Sequence, residues 1–364
     1  MDLFYDGLYL GPAESVVPLN VTPGVNTIAL EGRLLPYTTD SDALAKLGVL
    51  FSGYLNGVAV PVTAVGRSVR ETSGVTPSWL AAAISALVLN VPLQSPTGPI
   101  SPIYSISINA FSLAYTPETA YSPVASSPLV SAAIGLPFGF SLNITQAQNS
   151  IAIVQNGTLI AALPGTYGAS TTMISDRNSG STKGVLELVV PPVNLVVPNT
   201  YEGHLTLDQF QYDFAQYDGA GFYLNGTTNA VTATPIGQVL LTDVGFTVPS
   251  GLIGLSGLTK YPTLILSVDV TGGTPDYLLL NISVGLTNPS NLILSVGDVD
   301  FQLFTAATNA YLGRTILPSL TLTTGYQTHT AIGQFEANSN PSSLQALNDF
   351  TNGRDTPLLI SGCA

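Results

Sequence analysis

The sequence predicts an all-β protein built from tandem antiparallel β-sandwich repeats, each with one short helix. Three observations lead there. Leu280, Ile282, Val284 and Leu286 alternate with Asn281, Ser283 and Gly285, the period of a half-buried strand. Asn288-Pro289-Ser290-Asn291 follows at once, and proline removes the backbone donor that a continuing strand needs. The two ends of the chain also repeat one order of strands, turns and helix.

Residues 1–66 read as strand, turn, strand, helix, strand. Tyr9-Leu10-Gly11 leads into Leu19 to Gly24, and a strand follows at Ile28-Ala29-Leu30. Leu44, Leu47, Leu50 and Phe51 form one apolar stripe, predicting a helix from about Asp40 to Leu55. Asn56-Gly57 ends it, because both residues tolerate a left-handed cap. The C-terminal segment gives the same series. Tyr311-Leu312-Gly313 matches Tyr9-Leu10-Gly11, Leu320 to Gly325 matches Leu19 to Gly24, and Pro341 to Phe350 repeats the helix before Asn352-Gly353. Thr356 to Gly362 mirrors Val60 to Gly66, and the first helix is one turn longer.

In the middle, Thr76-Pro77-Ser78-Trp79-Leu80 and Val248-Pro249-Ser250-Gly251-Leu252 are each expected to open a short helical segment. Leu87–Leu93 and Tyr104–Leu113 are expected to form a hairpin, as are Thr263–Val270 and Tyr277–Thr287. Phe138, Phe140, Leu142 and Ile144 alternate along a strand, and Leu142-Asn-Ile-Thr145 parallels Leu280-Asn-Ile-Ser283. Asn194 to Gln216 carries the second helix, and Thr234-Pro235-Ile236-Gly237 reads as the closing strand. Pro/Ser-rich loops enlarge this repeat around 114–135 and 164–184. The division that follows is a truncated repeat at 1–66, a full one at 67–237 and a full one at 238–364.

The segment from Leu278 to Phe304 reads as a two-strand unit with a slip. Leu292, Leu294 and Val296 share one face, while Val299, Phe301 and Leu303 fall in the opposite phase. A β-bulge at Gly297-Asp298 returns the apolar side chains to the core.

Composition narrows the function classes. The 364 residues are 45% apolar and only 9% charged, with a net charge of −13. Nothing resembles the basic patch of a nucleic-acid protein, and strong electrostatic docking on anionic lipid is disfavoured. One cysteine, Cys363, leaves no intrachain disulfide; its readings as a free thiol or an intermolecular link both stand. The N-terminus has no basic and apolar leader, and the run from Trp79 to Leu93 is too short to span a bilayer. Any leader or membrane anchor is expected outside this chain.

Asn-Pro-Ser-Asn between alternating strands, Gly297-Asp-Val-Asp-Phe301 and the late Ser/Leu-rich helix ending in Asn-Gly resemble an uncharacterised fungal family. Its members are strings of sandwich domains similar to the late-embryogenesis-abundant (LEA, WHy-type) fold. The resemblance is best over 238–364 and fair over 1–66. It implies a membrane-associated protein whose repeats lie on the lumenal side of the vacuole or secretory pathway, and it brings no catalytic residues. One branch of the family is associated with signalling the end of autophagy.

Five Asn-x-Ser/Thr sequons occur, at Asn20, Asn143, Asn156, Asn225 and Asn281. Asn143 and Asn281 sit on polar strand faces, and Asn156 and Asn225 precede glycine in expected turns. A glycan there meets no core, which favours lumenal or extracellular exposure. Asp298 and Asp300 form an Asp-x-Asp, but two carboxylates fall short of the six or more oxygens calcium prefers. They read as solvated acids beside a bulge. Asp208, Asp213 and Asp218 scatter along the outer side of a helix and its end. His204 and His329 occupy unrelated repeat positions, and no Gly-x-Ser-x-Gly elbow accompanies them. Trp79 could stack a glycan, but Leu80 and Ile84 share its helical face, so it is expected to bury.

No catalytic, metal or cofactor site is expected, and three functions compete. The first is a non-enzymatic scaffold that meets protein partners, or further copies of itself, through sandwich faces and sheet edges. The second is a lipid- or hydrophobe-binding module using the gap between two sheets, for which a continuous Leu/Val-lined cavity is the discriminating feature. The third, a carbohydrate-binding or glycan-active protein, rests on the fold class alone. The strands of the first repeat are expected to need cover for their edges, from residues 67–113, from another segment or from a second molecule.

Overall fold

The structure is a computed structural model that describes all residues except 18–21, 25–28, 35–37, 68–76, 96, 177–180, 337–339, 355 and 363–364, and the side chains at 164 and 166–182. Asn20, Ile28 and Cys363 thus lie outside the described residues. Among the described residues strands account for 57% and four short helices for most of the 18% that is helical, so the fold is all-β. The strands are mostly antiparallel.

The first unit comprises β1 (Asp2–Tyr5), β2 (Leu8–Ser15), β3 (Leu30–Gly32), α1 (Ser41–Leu55) and β4 (Val60–Val65). After α2 (Ser78–Ser85), the second runs through β5 (Val88–Leu93), β6 (Ile103–Ala114), β7 (Val124–Leu136), β8 (Asn143–Gln155), β9 (Thr158–Asp176), β10 (Ser181–Asn194), α3 (Tyr201–Gln216) and β11 (Gly219–Thr234). β12 (Gly237–Ile253) pairs β11 and closes the second unit, and the third has β13 (Leu264–Gly273), β14 (Leu278–Asn288), β15 (Leu292–Thr305), β16 (Tyr311–Leu322), β17 (Gly325–Phe335), α4 (Pro341–Thr351) and β18 (Leu358–Gly362). One sheet follows the order β3-β2-β1-β4-β5. The other follows β12-β11-β8-β9-β10-β7-β6-β15-β16-β17-β14-β13, with β18 added to β15.

The ladders repeat residue for residue. Leu3 pairs Gly11 and Ala64, Ile153 pairs Ala161 and Leu224, and Leu303 pairs Gly313 and Ile360. Each first ladder slips by one residue just after that pair. The extra residue, Leu10, Ile160 or Leu312, is buried in every unit, because a bulge turns one more side chain toward the core. At Gly313 the backbone takes φ +145°, and a Cβ would clash with the Gln334 carbonyl; only glycine suits that site. Helix starts repeat as well. Asp40, Thr200 and Asn340 each accept a hydrogen bond from a first-turn amide, through Asp42, Gly203 and Ser343, satisfying donors that the helix leaves open. α1 and α4 both end at Asn-Gly, with Gly57 at φ +69° and Gly353 at +66°.

The bulge expected at Gly297-Asp298 is present: the β15–β16 register shifts on both sides of Gly297, whose φ is +76°. The β13–β14 hairpin also forms as expected. Several other expectations are corrected. β5 and β6 make no hairpin, because β5 joins the open edge of β4 while β6 pairs β7 and, in parallel, β15. Val248–Leu252 lies within β12 rather than opening a helix, since its alternate residues pair β11. Thr234–Gly237 is the turn between β11 and β12, and β11 is the strand that follows the second helix. Much of 114–135 and 164–184 is β7, β9 and β10 instead of loop. Leu142-Asn-Ile-Thr145 opens β8, the counterpart of β15 rather than of β14. β14 and β15 themselves do not pair: β14 lies between β13 and β17.

One core runs through the first and second units, joining Leu10, Leu50 and Phe51 to Ile134, Phe138 and Phe246. α1 lies against β12, where Ser52 Oγ accepts from the Thr242 amide at 2.9 Å. The first unit is therefore covered from within the chain. The third unit has its own smaller clusters around Ile282, Leu317 and Leu312.

Candidate functional site

The third unit holds an open cleft of about 790 Å³ lined by β13 to β18 and α4, against about 130 Å³ in the core of the second. Pockets that take small ligands span about 300–1,000 Å³. Ile282, Val284, Leu286, Leu317 and Ala331 line its depth, and Leu358 and Ile360 of β18 line one side. α4 contributes Ala346, Leu347 and Phe350, and Arg354 and Thr356 stand among the lining residues after it. Among the described residues Arg354 is the one formally charged side chain there; it pairs with Asp349 at 3.4 Å. The hydroxyl oxygen of Thr356 is out of water and has no hydrogen-bond partner among the described residues.

The repeated ladder explains the difference in volume. Val62, Phe222 and Leu358 occupy one position, and Ala64, Leu224 and Ile360 the next inward one. Val62 and Ala64 are 6% and 0% exposed, Phe222 and Leu224 5% and 7%, but Leu358 and Ile360 37% and 40%. In the second unit, β12 pairs the far edge of β11 and turns Val244, Phe246 and Leu252 into the core, against β6. β4 likewise carries β5. Among the described residues β18 pairs only β15, and its far edge carries no strand.

The residues singled out by sequence are not brought together. Asn143, Asn156, Asn225 and Asn281 are all exposed. Asn156 and Gly157 form a tight turn at φ +50° and +80°. Asn225, expected in a turn, lies on the outer face of β11, where its side chain accepts from Thr247. Trp79 is 70% exposed instead of buried; α2 has no fully buried residue, and Leu80 and Ile84 are only partly covered. His204 stacks on Tyr121 at 3.8 Å between ring centroids, and His329 lies on β17 in the third unit. Asp298 accepts from the Ser319 amide at 2.8 Å. Among the described residues no three His, Cys, Asp or Glu side chains are grouped to hold a metal. No helix there is long and apolar enough to cross a membrane.

Tyr115, beside the smaller cavity, is the most perturbed acid. Burial pushes its pKa up to about 12, and the amide of Gln211 donates to its hydroxyl at 3.0 Å. The open cleft was missed by sequence reasoning because Leu358-Leu-Ile360 reads like any inner strand. The available signal was the comparison of Thr356–Gly362 with Val60–Gly66, followed by asking what comes next to each.

A family model described as "Protein of unknown function (DUF3712)" matches residues 193–303. The match begins at the end of β10 and takes in α3, β11, β12, β13, β14 and most of β15. It thus centres on the junction of the second and third units, including the strand that closes the second. No curated protein matches the chain.

Proposed function

We propose that this protein is a non-enzymatic interaction protein whose third unit takes up an apolar guest in its open cleft. The observation that carries this is the exposure of Leu358 and Ile360 at ladder positions buried in both other units. Two inward aliphatic side chains left half in water cost about 1–2 kcal/mol each relative to burial, a cost that a guest removes. The aliphatic lining suits a guest held by shape and apolar area. Catalysis asks for converging acids, bases or nucleophiles, and the cavity lining offers one arginine paired to an aspartate.

A small hydrophobe such as a lipid tail is the second reading, favoured by the size of the cavity. We place the protein on the lumenal or extracellular side of a fungal secretory, vacuolar or plasma membrane. Four exposed sequons and a LEA-like repeat pattern support that location.

The test is uptake of an environment-sensitive naphthalene sulfonate dye by the full chain. Wild type is expected to bind it with a blue shift, and Ala331→Trp, which places an indole in the cavity, to weaken that signal. Equal dye binding by both proteins, or none by wild type, would sink the reading.

A further inference from the structure

We infer that the guest of the third unit is an extended polypeptide strand with apolar residues at alternate positions, added antiparallel to the free edge of β18. The inference rests on the reading of the third unit as a receptor for apolar guests, and it names the guest.

The chain holds the bound state of its own sister unit. β11 and β18 are the same strand of the repeat, pairing β8 and β15 at one register. On the far edge of β11 lies β12, with Leu224 opposite Val248 and Gly226 opposite Phe246. Carried to the third unit, the same register sets Ile360 opposite the counterpart of Val248 and Gly362 opposite that of Phe246. In the second unit a Cβ on Gly226 would meet the Ser150 carbonyl of β8 first and come within 3.2 Å of the Phe246 ring, whereas nothing lies within 4 Å of a Cβ on Gly362. The third unit thus keeps the glycine, the inward aliphatic residues and the groove, with that space empty.

The backbone argues for a peptide over a lipid. Half of the N–H and C=O groups of an edge strand point away from its sheet, and only another strand satisfies them as a row. The Thr356 hydroxyl, without a partner among the described residues, lies two positions before β18 begins. The donor needs little charge on its inner face, since among the described residues Arg354 is the one charged side chain around the cavity. Alternation as in Val244, Phe246 and Val248 would send every second side chain inward.

The experiment uses the full chain and a fluorescent peptide with the sequence of residues 242–253. Anisotropy measures binding, and amide hydrogen exchange reports on residues 358–362. Expected are saturable binding, slower exchange across β18, and loss of binding when the peptide is N-methylated at alternate residues in one phase but not in the other. Ile360→Glu, at an exposed position, should fold normally and weaken the peptide about tenfold or more, the equivalent of roughly 1.4 kcal/mol. Sensitivity to neither methylation phase, or exchange across β18 that peptide leaves unchanged, would overturn strand addition. If the dye and oleate occupy the cavity while the peptide does not bind, the guest is a free hydrophobe, and the receptor reading survives without this inference. If dye, oleate and peptide all fail, both are wrong.

Discussion

The side-chain amide of Asn291 donates to the carbonyl of Ile108 at 2.7 Å, across 183 positions of sequence. Its oxygen accepts from the Ile253 amide at 2.9 Å. One asparagine therefore ties the start of β15 to β6 and to the end of β12. Asn288 and Ser290 complete this joint. Asn288, 1% exposed, donates to the Leu292 and Leu322 carbonyls, and Ser290 donates to Ile253. Asn-Pro-Ser-Asn thus acts as the clasp between the second and third units. Asn291→Ala leaves a carbonyl and an amide without partners at that joint. A loss of about 1–3 kcal/mol is expected, read as a lower denaturant midpoint. An unchanged midpoint would show that the clasp carries no stability.

Ala331 and Ala125 are nearly inaccessible at 1% and 0%, yet they face different surroundings. Ala331 lines the large cavity of the third unit, whereas Ala125 belongs to the continuous core. Ala331→Phe is expected to be neutral or stabilising, because the ring enters empty space. Ala125→Phe should cost about 1–3 kcal/mol through overpacking. Paired thermal melts decide. Equal losses would mean that the third-unit cavity is closed in solution.

Alkaline pH should single out Tyr115. Its folded pKa is raised by burial to about 12, above the ordinary 10.0 of the unfolded chain. The unfolded state therefore loses the phenolic proton first. The stability from keeping Tyr115 neutral is intact below pH 10 and disappears as pH rises through the folded value. The total loss is about 2–3 kcal/mol. Tyr115→Phe should flatten that part of the stability curve between pH 10 and 12, measured by urea unfolding. If the slopes match, other groups govern the alkaline transition.

Asn143, Asn156, Asn225 and Asn281 all reach solvent. Secreted from a eukaryotic host behind an added leader, the chain should lose mass on peptide-N-glycosidase treatment, with these residues converted to aspartate. Asn156, at the tip of a tight turn, is expected to be the most fully occupied, and Asn225, in mid-strand and bonded to Thr247, the least. The absence of any mass change would remove the sequons as support for a lumenal location.

The sequence by itself determined the all-β class, the repeated order of elements, the ends of α1 and α4 and the bulge at Gly297. Those features are local. A period of two chooses which side chains share a face, Asn-Gly ends a helix wherever it stands, and a phase slip demands an extra residue. The tertiary structure alone decided which edges meet. Val88–Leu93 looks equally suited to a hairpin with Tyr104–Leu113 and to the edge of β4, because an alternating strand carries no address for its neighbour. Val248-Pro249-Ser250 looks like a helix start, yet β11 holds it extended. The same limit hid the cleft. Leu358 and Ile360 are as apolar as Val62 and Leu224, and their burial depends on what lies across the fold. The sequence set those side chains inward, but only the three-dimensional arrangement left them uncovered.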